Sequence, residues 1–221
     1  MNISKTDWKI RCVIYDCDGV LFDSLEANTK LYNDLCTRVG RYPLRENEIK
    51  YVHTHTVFEA IHFIFGAEND REKKALEILK QKQVDLKNYV AYLKMEPHLF
   101  QTLEKLKAKG ILRVINTNRT TSMKYIMESF NLWPYFEMVV TALDVKNPKP
   151  HPESIEKIMQ ELHLNKEEAV FVGDSDVDQQ TAKSSGIKFI AYKNRDIQND
   201  AYIEDHLDLL RLISSPKGPQ R

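Results

Sequence analysis

The sequence lacks the usual marks of a disulfide-rich or membrane-spanning protein. Its three cysteines form no C-x-x-C pair and leave one unpaired in any disulfide scheme, so we expect free thiols. No apolar run approaches the roughly 18 residues that a membrane-spanning helix needs. The first residues also lack the apolar core of a signal peptide. These absences favour a cytoplasmic protein.

An excess of charge of one sign is also missing. Lysine plus arginine and aspartate plus glutamate number 32 each, so the formal net charge is zero. That balance gives no reason to expect nucleic acid or an anionic membrane as a partner. The hydrophobic fraction of 42% and the charged fraction of 29% are ordinary for a globular protein. Nothing in the sequence calls for an obligate protein partner.

Glycine is scarce, with seven residues in 221, and its positions are informative. Four glycines follow helical patterns, at Gly40, Gly66, Gly110 and Gly186. Two others, Gly19 and Gly173, stand beside aspartates that follow apolar runs. Glycine there allows tight turns and a close approach of other groups to the backbone.

The second half of the chain alternates between strand and helix patterns. The predicted strands are 111–115, 136–140, 169–172 and 189–192, and a last helix is predicted over about 202–213. Such alternation is typical of an α/β fold, a doubly wound, Rossmann-like parallel sheet with helices on both faces. An earlier apolar run, from about Arg11 to Asp16, reads as a buried strand of the same sheet.

Residues between the first strand and the rest read as helical. From Ser24 to Leu93 no convincing strand is found, and a long amphipathic helix is predicted from about Asn69 towards Leu93. We therefore predict a sheet-containing core made of residues 1–22 and 96–221. Residues 23–95 are predicted to form an inserted, all-helical domain.

A pair of carboxylates lies at the end of the first predicted strand. Asp16 ends the apolar run and Asp18 follows two residues later, so extended backbone would point both to one side. Two close carboxylates repel each other unless a cation lies between them or one is protonated. Mg²⁺ suits oxygen ligands of this kind. The pair alone could equally be a solvated turn.

Polar residues follow the other strands as well. They are Thr117 and Asn118 after the second strand, Lys149 in the loop after the third, and Asp174 after the fourth, with Asp176 and Asp178 behind it. Taken singly, they could be helix caps, a solvated lysine and helix N-terminal charges. Ligands bind at the carboxyl ends of strands in such sheets, so together they predict a phosphate site with a metal ion.

Four short motifs give the sequence a resemblance to the haloacid dehalogenase superfamily of hydrolases, in the branch of phosphoglycolate phosphatase and beta-phosphoglucomutase. The motifs are DCDGVLFDS at 16–24, VINTN at 114–118, NPKP at 147–150 and GDSDVD at 173–178. The resemblance spans about Arg11 to Ile213, and the helical block resembles the cap of that family. A cysteine between the two aspartates, Cys17, departs from the bulkier apolar residue common there.

The resemblance implies a phosphatase that acts on a small phosphorylated metabolite. Asp16 would be the nucleophile that forms an aspartyl-phosphate, and Asp18 the general acid and base. Mg²⁺ would be held by the Asp16 carboxylate, the Asp18 backbone carbonyl and Asp174, with Asp178 as an indirect partner.

The remaining implied contacts are with the phosphate. Thr117 and Asn118 would bind phosphoryl oxygens, and Lys149 would offset charge on the phosphate and on the nucleophile.

Substrate choice is expected to depend on the cap. The run Tyr51 to Thr56 carries His53 and His55, and we expect one or both to reach the non-phosphate part of the substrate. The alternative is a polar segment at the start of a helix, with Thr54 or Thr56 as its N-cap. Arg119 could contact an anionic substrate or lie on the surface.

Two other functions stay open on the sequence. A phosphomutase would return the phosphoryl group to a bisphosphate intermediate instead of water. A protein that binds a phosphorylated metabolite without reacting would also fit the fold, although every motif residue is present.

Overall fold

The structure, a computed structural model, describes residues 8–66, 69–81 and 84–214. Its strands are β1 Trp8–Lys9, β2 Cys12–Tyr15, β3 Phe22–Asp23, β4 Lys94–Met95, β5 Leu112–Asn116, β6 Met138–Val140, β7 Ala169–Gly173, β8 Lys188–Tyr192, β9 Ala201–Ile203 and β10 Ile213–Ser214. Its helices are α1 Leu25–Arg38, α2 Glu46–Thr54, α3 Val57–Phe65, α4 Asn69–Lys80, α5 Lys87–Val90, α6 Leu99–Ala108, α7 Ser122–Ser129, α8 Glu153–Glu161, α9 Asp176–Ser185 and α10 His206–Leu212. Two short 3-10 helices cover Trp133–Tyr135 and Lys166–Glu168.

A six-stranded parallel sheet forms the centre of the structure. Its strand order is β6-β5-β2-β7-β8-β9, which confirms the predicted α/β class. Strand β2, which corresponds to the first strand predicted from the sequence, lies in the interior of the sheet between β5 and β7. The carboxyl ends of these three strands therefore converge at one edge, where Asp16, Thr117 and Asp174 follow them.

Strand β2 is buried on both of its faces. Val13 and Tyr15 pack in one hydrophobic cluster, and Cys12 and Ile14 pack in a second cluster on the opposite side. This explains why the strand reads as an unbroken apolar run instead of an alternating one. The buried sheet fixes the position of the residues that follow it.

The helical block has a hydrophobic cluster of its own. Buried residues from Tyr32 to Val84 pack together, apart from the clusters that cover the sheet. Its connections to the sheet run side by side, because β3 and β4 pair antiparallel, with Phe22 opposite Met95. These two strands, each only two residues long, lie just outside the range Ser24 to Leu93, and within the described part of that range the structure has helices and no strand, as expected.

The prediction of one long helix from Asn69 towards Leu93 is wrong. Helix α4 ends at Lys80, and the short α5 begins at Lys87. The Asp85 carboxylate accepts a hydrogen bond from the backbone N–H of Lys87, a donor that has no intrahelical partner at the start of α5. Val90 and Leu93 then pack in the cluster that covers the sheet, not in the cluster of the helical block.

The last predicted helix also needs correction. Residues Ala201–Ile203 form β9, the edge strand of the sheet, and pair with β8. Helix α10 begins only at His206, where Asp205 caps it by accepting from the Leu207 N–H. Across the described ranges, no helix is long and apolar enough to cross a membrane.

Candidate active site

Asp16 and Lys149 form a buried ion pair at the centre of the sheet edge. The Lys149 Nζ lies 2.7 Å from Asp16 Oδ1 and 2.6 Å from Asp178 Oδ1. Lys149 is 4% exposed, Asp16 is 7% exposed and Asp178 is fully buried. Burial alone would lower the pKa of Lys149, but the two carboxylates raise it, so the lysine carries its charge.

Asp178 is held from two sides. Its Oδ2 accepts from the Ser175 hydroxyl at 2.6 Å, within the capping box that starts α9, while Oδ1 accepts from Lys149. Asp178 therefore helps to fix the position of the Lys149 amine, a contact that the sequence pattern did not suggest.

Two glycines make room for the carboxylates of this cluster. A Cβ on Gly19 would lie 2.0 Å from Asp174 Oδ2, and Gly19 adopts a φ of +73°. A Cβ on Gly173 would lie 2.4 Å from the Cβ of Asp178. Glycine is therefore needed at both positions to let Asp174 and Asp178 approach the backbone beside Asp16.

The carboxylates lie close enough together to hold a metal ion. Asp16, Asp174 and Asp178 each offer an oxygen within 4.8 Å of the others. Burial, and next the charge of Asp178, raise the pKa of Asp16 to about 7 despite Lys149. Burial, Asp178 and Asp16 likewise raise the pKa of Asp174 well above its usual value. A hard divalent cation would relieve this repulsion, so the donor set fits one.

Asp18 forms a bidentate ion pair with Arg119. The guanidinium Nε and Nη2 donate to the two carboxylate oxygens at 2.7 and 2.6 Å. Burial would raise the pKa of Asp18, but the charge and hydrogen bonds of Arg119 outweigh it and lower that pKa. Arg119 is therefore not a surface arginine, and its side chain is 13% exposed.

A hydrogen-bonded chain extends from this ion pair into the helical block. Asn28 of α1 donates to Asp18 Oδ1 at 3.3 Å and accepts from Arg119 Nη2 at 3.2 Å. The Asn28 amide nitrogen also lies 3.4 Å from His53 Nδ1. Sequence reasoning missed Asn28, although an amide among the apolar positions of α1 was a visible signal.

Asp16, Asp18, Lys149 and Asp174 line one cavity at this edge of the sheet, and the other predicted site residues described below line it too. Thr117 and Asn118 are buried, and the Asn118 amide donates to the Lys149 backbone carbonyl at 3.1 Å. This bond connects the loop after β5 to the loop that carries Lys149. His55 also lines the cavity, with its ring stacked on Tyr51 at a centroid distance of 3.8 Å. Asp176 is exposed and does not line the cavity.

The segment that carries these histidines contains the end of α2 and the start of α3. His53 lies in α2, and Thr56 is the N-cap of α3, where its hydroxyl accepts from the Glu59 N–H. The predicted capping role of Thr56 is thus present, and both histidines still face the cavity. The capping and substrate-contact interpretations therefore do not exclude each other.

Comparison with known proteins identifies the family of the chain. The sequence matches the haloacid dehalogenase-like hydrolase family over residues 13–192. A crystal structure of a HAD-superfamily hydrolase from Geobacter sulfurreducens is 34% identical, with a TM-score of 0.79, and covers 91% of this chain and 98% of its own. A phosphoglycolate phosphatase of Aquifex aeolicus is 28% identical over 81% of this chain and 83% of its own length. The pyrophosphatase PpaX of Bacillus anthracis is 26% identical over 90% and 89% respectively. The chain belongs to the haloacid dehalogenase-like hydrolase family.

Proposed function

We propose that the protein is a Mg²⁺-dependent phosphatase that hydrolyses a phosphomonoester metabolite through an aspartyl-phosphate on Asp16. The observation that supports this most strongly is the pairing of a buried Asp16 carboxylate with Lys149 at 2.7 Å, beside two further carboxylates. The names of the phosphatase relatives point the same way.

Each side chain has a role in this reaction. Asp16 attacks phosphorus, so that one displacement is split into two easier ones. Lys149, held by Asp178, faces both the nucleophile and the phosphoryl oxygens and stabilises the charge that develops between them. Thr117 and Asn118 bind phosphoryl oxygens. Mg²⁺, held by the carboxylates of Asp16 and Asp174 and by the Asp18 carbonyl, would neutralise the repulsion between the nucleophile and the phosphate.

Asp18 supplies the proton to the leaving oxygen and then accepts one from water. In the structure both of its oxygens are occupied by Arg119. Proton donation therefore requires the guanidinium to release at least one of them and the carboxylate to take up a proton, because Arg119 lowers the pKa of Asp18. Residues 23–95 act as the cap that closes over the site, and the β3–β4 pair is the connection about which it moves.

A panel of phosphomonoesters assayed with Mg²⁺ tests the proposal. We expect release of phosphate from at least one ester, loss of that release with a chelator, and no release by Asp16→Asn. Failure to release phosphate from any ester, or unchanged activity of Asp16→Asn, would contradict it.

Mg²⁺ is expected to raise the melting temperature, and by more at pH 8 than at pH 5. Protons and metal compete for Asp16 and Asp174, whose raised pKa values keep them partly protonated in the acidic range. At a metal concentration of 100 times Kd the stabilisation is about 2.7 kcal/mol. Calorimetry at both pH values measures the shift, and Asp174→Asn should remove most of it. An equal shift in that variant would place the metal elsewhere.

The space that Gly19 leaves for Asp174 gives a matched test. Gly19 and Gly40 adopt φ values of +73° and +71°, but a Cβ on Gly40 would have nothing within 4 Å. Alanine at either position costs about 1–2 kcal/mol of backbone strain. Only Gly19→Ala should also displace Asp174, and kcat/KM should fall roughly 10²-fold. Equal activity of the two folded variants would show that Gly19 serves only the turn.

A further inference from the structure

The cavity that contains Asp16 is larger than a phosphate and a short leaving group require. Its volume is about 1190 Å³. Clefts of about 300–1,000 Å³ already enclose drug-sized ligands. The residues that bind the phosphoryl group occupy only one part of its lining. The rest of the cavity is available to the alcohol part of the substrate.

Apolar side chains from both sides form much of the remaining wall. The helical block contributes Leu31 and Leu79, and the sheet side contributes Met123 and Val139. Charged side chains also border the cavity, at Lys80, Asp85, Lys124 and Asp144, and all of these are exposed to solvent.

Three large apolar side chains on this cavity are exposed. Phe58 of α3 is 58% exposed, Trp133 is 52% exposed and Leu143 is 56% exposed. Phe58 belongs to the helical block, and the other two belong to the sheet side. Large exposed apolar side chains gathered at one cleft, instead of scattered singly, mark ligand-binding grooves. Their position on the cavity that holds the nucleophile indicates a ligand that reaches from Asp16 to them.

We propose that the part of this cavity away from the phosphoryl-binding residues is an apolar subsite for the leaving group, so that the preferred substrates are phosphomonoesters of a large apolar or aromatic alcohol. This inference rests on the proposed phosphatase function and adds the chemical class of the substrate to it. Contact with the alcohol would remove Phe58 and Leu143 from water, and this binding energy is available to the transition state.

The other candidate for covering these side chains is the protein itself. If the cap closes directly against the sheet side, Phe58 would pack on Trp133 or Leu143 with no substrate between them. In that case the length of the alcohol would not affect the reaction. The two possibilities therefore give different dependences of kcat/KM on the size of the ester.

The test is kcat/KM for ethyl, butyl, hexyl and octyl phosphate with Mg²⁺. The alkoxide leaving groups of this series are nearly equal in basicity, so differences report binding of the chain. Each fully buried methylene corresponds to roughly fourfold. Allowing for partial burial, we expect kcat/KM to rise at least tenfold from ethyl to hexyl phosphate. A flat series would overturn the inference, as would hydrolysis of polar esters without any of the alkyl esters.

Variants connect the effect to this cavity. Phe58→Ala and Leu143→Ala should each reduce the ratio of hexyl to ethyl phosphate at least threefold, mainly by lowering the value for the hexyl ester. Tyr42→Ala is the matched control, because Tyr42 is 90% exposed and does not line the cavity. An unchanged ratio in both cavity variants would overturn the inference. The proposed function is judged separately, by phosphate release from any ester and its loss in Asp16→Asn.

Discussion

Replacing Lys149 by methionine will lower kcat/KM by about 10²–10³-fold, the usual cost of losing one preorganised donor to a developing charge. Methionine keeps much of the length of the side chain but leaves Asp16 and Asp178 facing each other without the cation. Breaking a buried ion pair on one side costs about 3–5 kcal/mol. We therefore expect a lower free energy of unfolding together with the loss of activity.

Lys146→Met is the matched control for this variant, since Lys146 is exposed and lies in the same loop. Activity per folded molecule and denaturant unfolding should both stay close to those of the unchanged protein. If Lys149→Met lost stability but kept kcat/KM, the lysine would only support the structure. That result would remove it from the proposed mechanism.

Replacing Asp18 by asparagine will affect alkyl phosphates much more than p-nitrophenyl phosphate in the first turnover. An alkoxide needs a proton as it leaves, whereas p-nitrophenolate does not, and general acid catalysis is typically worth about 10²–10⁴-fold. Rapid-quench measurement of the first turnover separates this step from the later attack of water, in which Asp18 is also proposed to take part.

Asp23→Asn gives the comparison for Asp18→Asn. Asp23 is an exposed carboxylate in the same segment, and it accepts a hydrogen bond from the Leu25 N–H that asparagine can also accept. Its first turnover should be unchanged with both esters. Equal losses for the alkyl and p-nitrophenyl esters in Asp18→Asn would exclude Asp18 as the general acid.

Much of the framework was predictable because it depends on local patterns. An unbroken apolar run ending in Asp16 is typical of a strand that is buried on both faces, and β2 is such a strand. The parallel sheet then brings Asp16, Lys149 and Asp174 to one edge. The Gly19 turn and the Thr56 cap also follow from local backbone chemistry.

Features that depend on contacts between distant segments were not predictable. The ion pair of Asp18 with Arg119 joins residues 101 positions apart, and no periodicity reports it. The same is true of the hydrogen bond between Asn28 and Asp18 and of the ion pair between Asp178 and Lys149. The error over 202–213 has a related origin, because the pairing of β9 with β8 decides the conformation of Ala201–Ile203.

The most direct test of the account is chemical trapping of the covalent intermediate on Asp16. The protein is mixed with Mg²⁺ and an ester that it hydrolyses, and the reaction is quenched in acid during turnover. The quenched protein is then reduced with borohydride, which converts an acyl phosphate to an alcohol. Mass spectrometry of the peptide that contains Asp16 should then show homoserine at position 16, and only when the ester is present. Phosphate release without any homoserine at position 16, or with homoserine at Asp18 or Asp174 instead, would contradict Asp16 as the nucleophile.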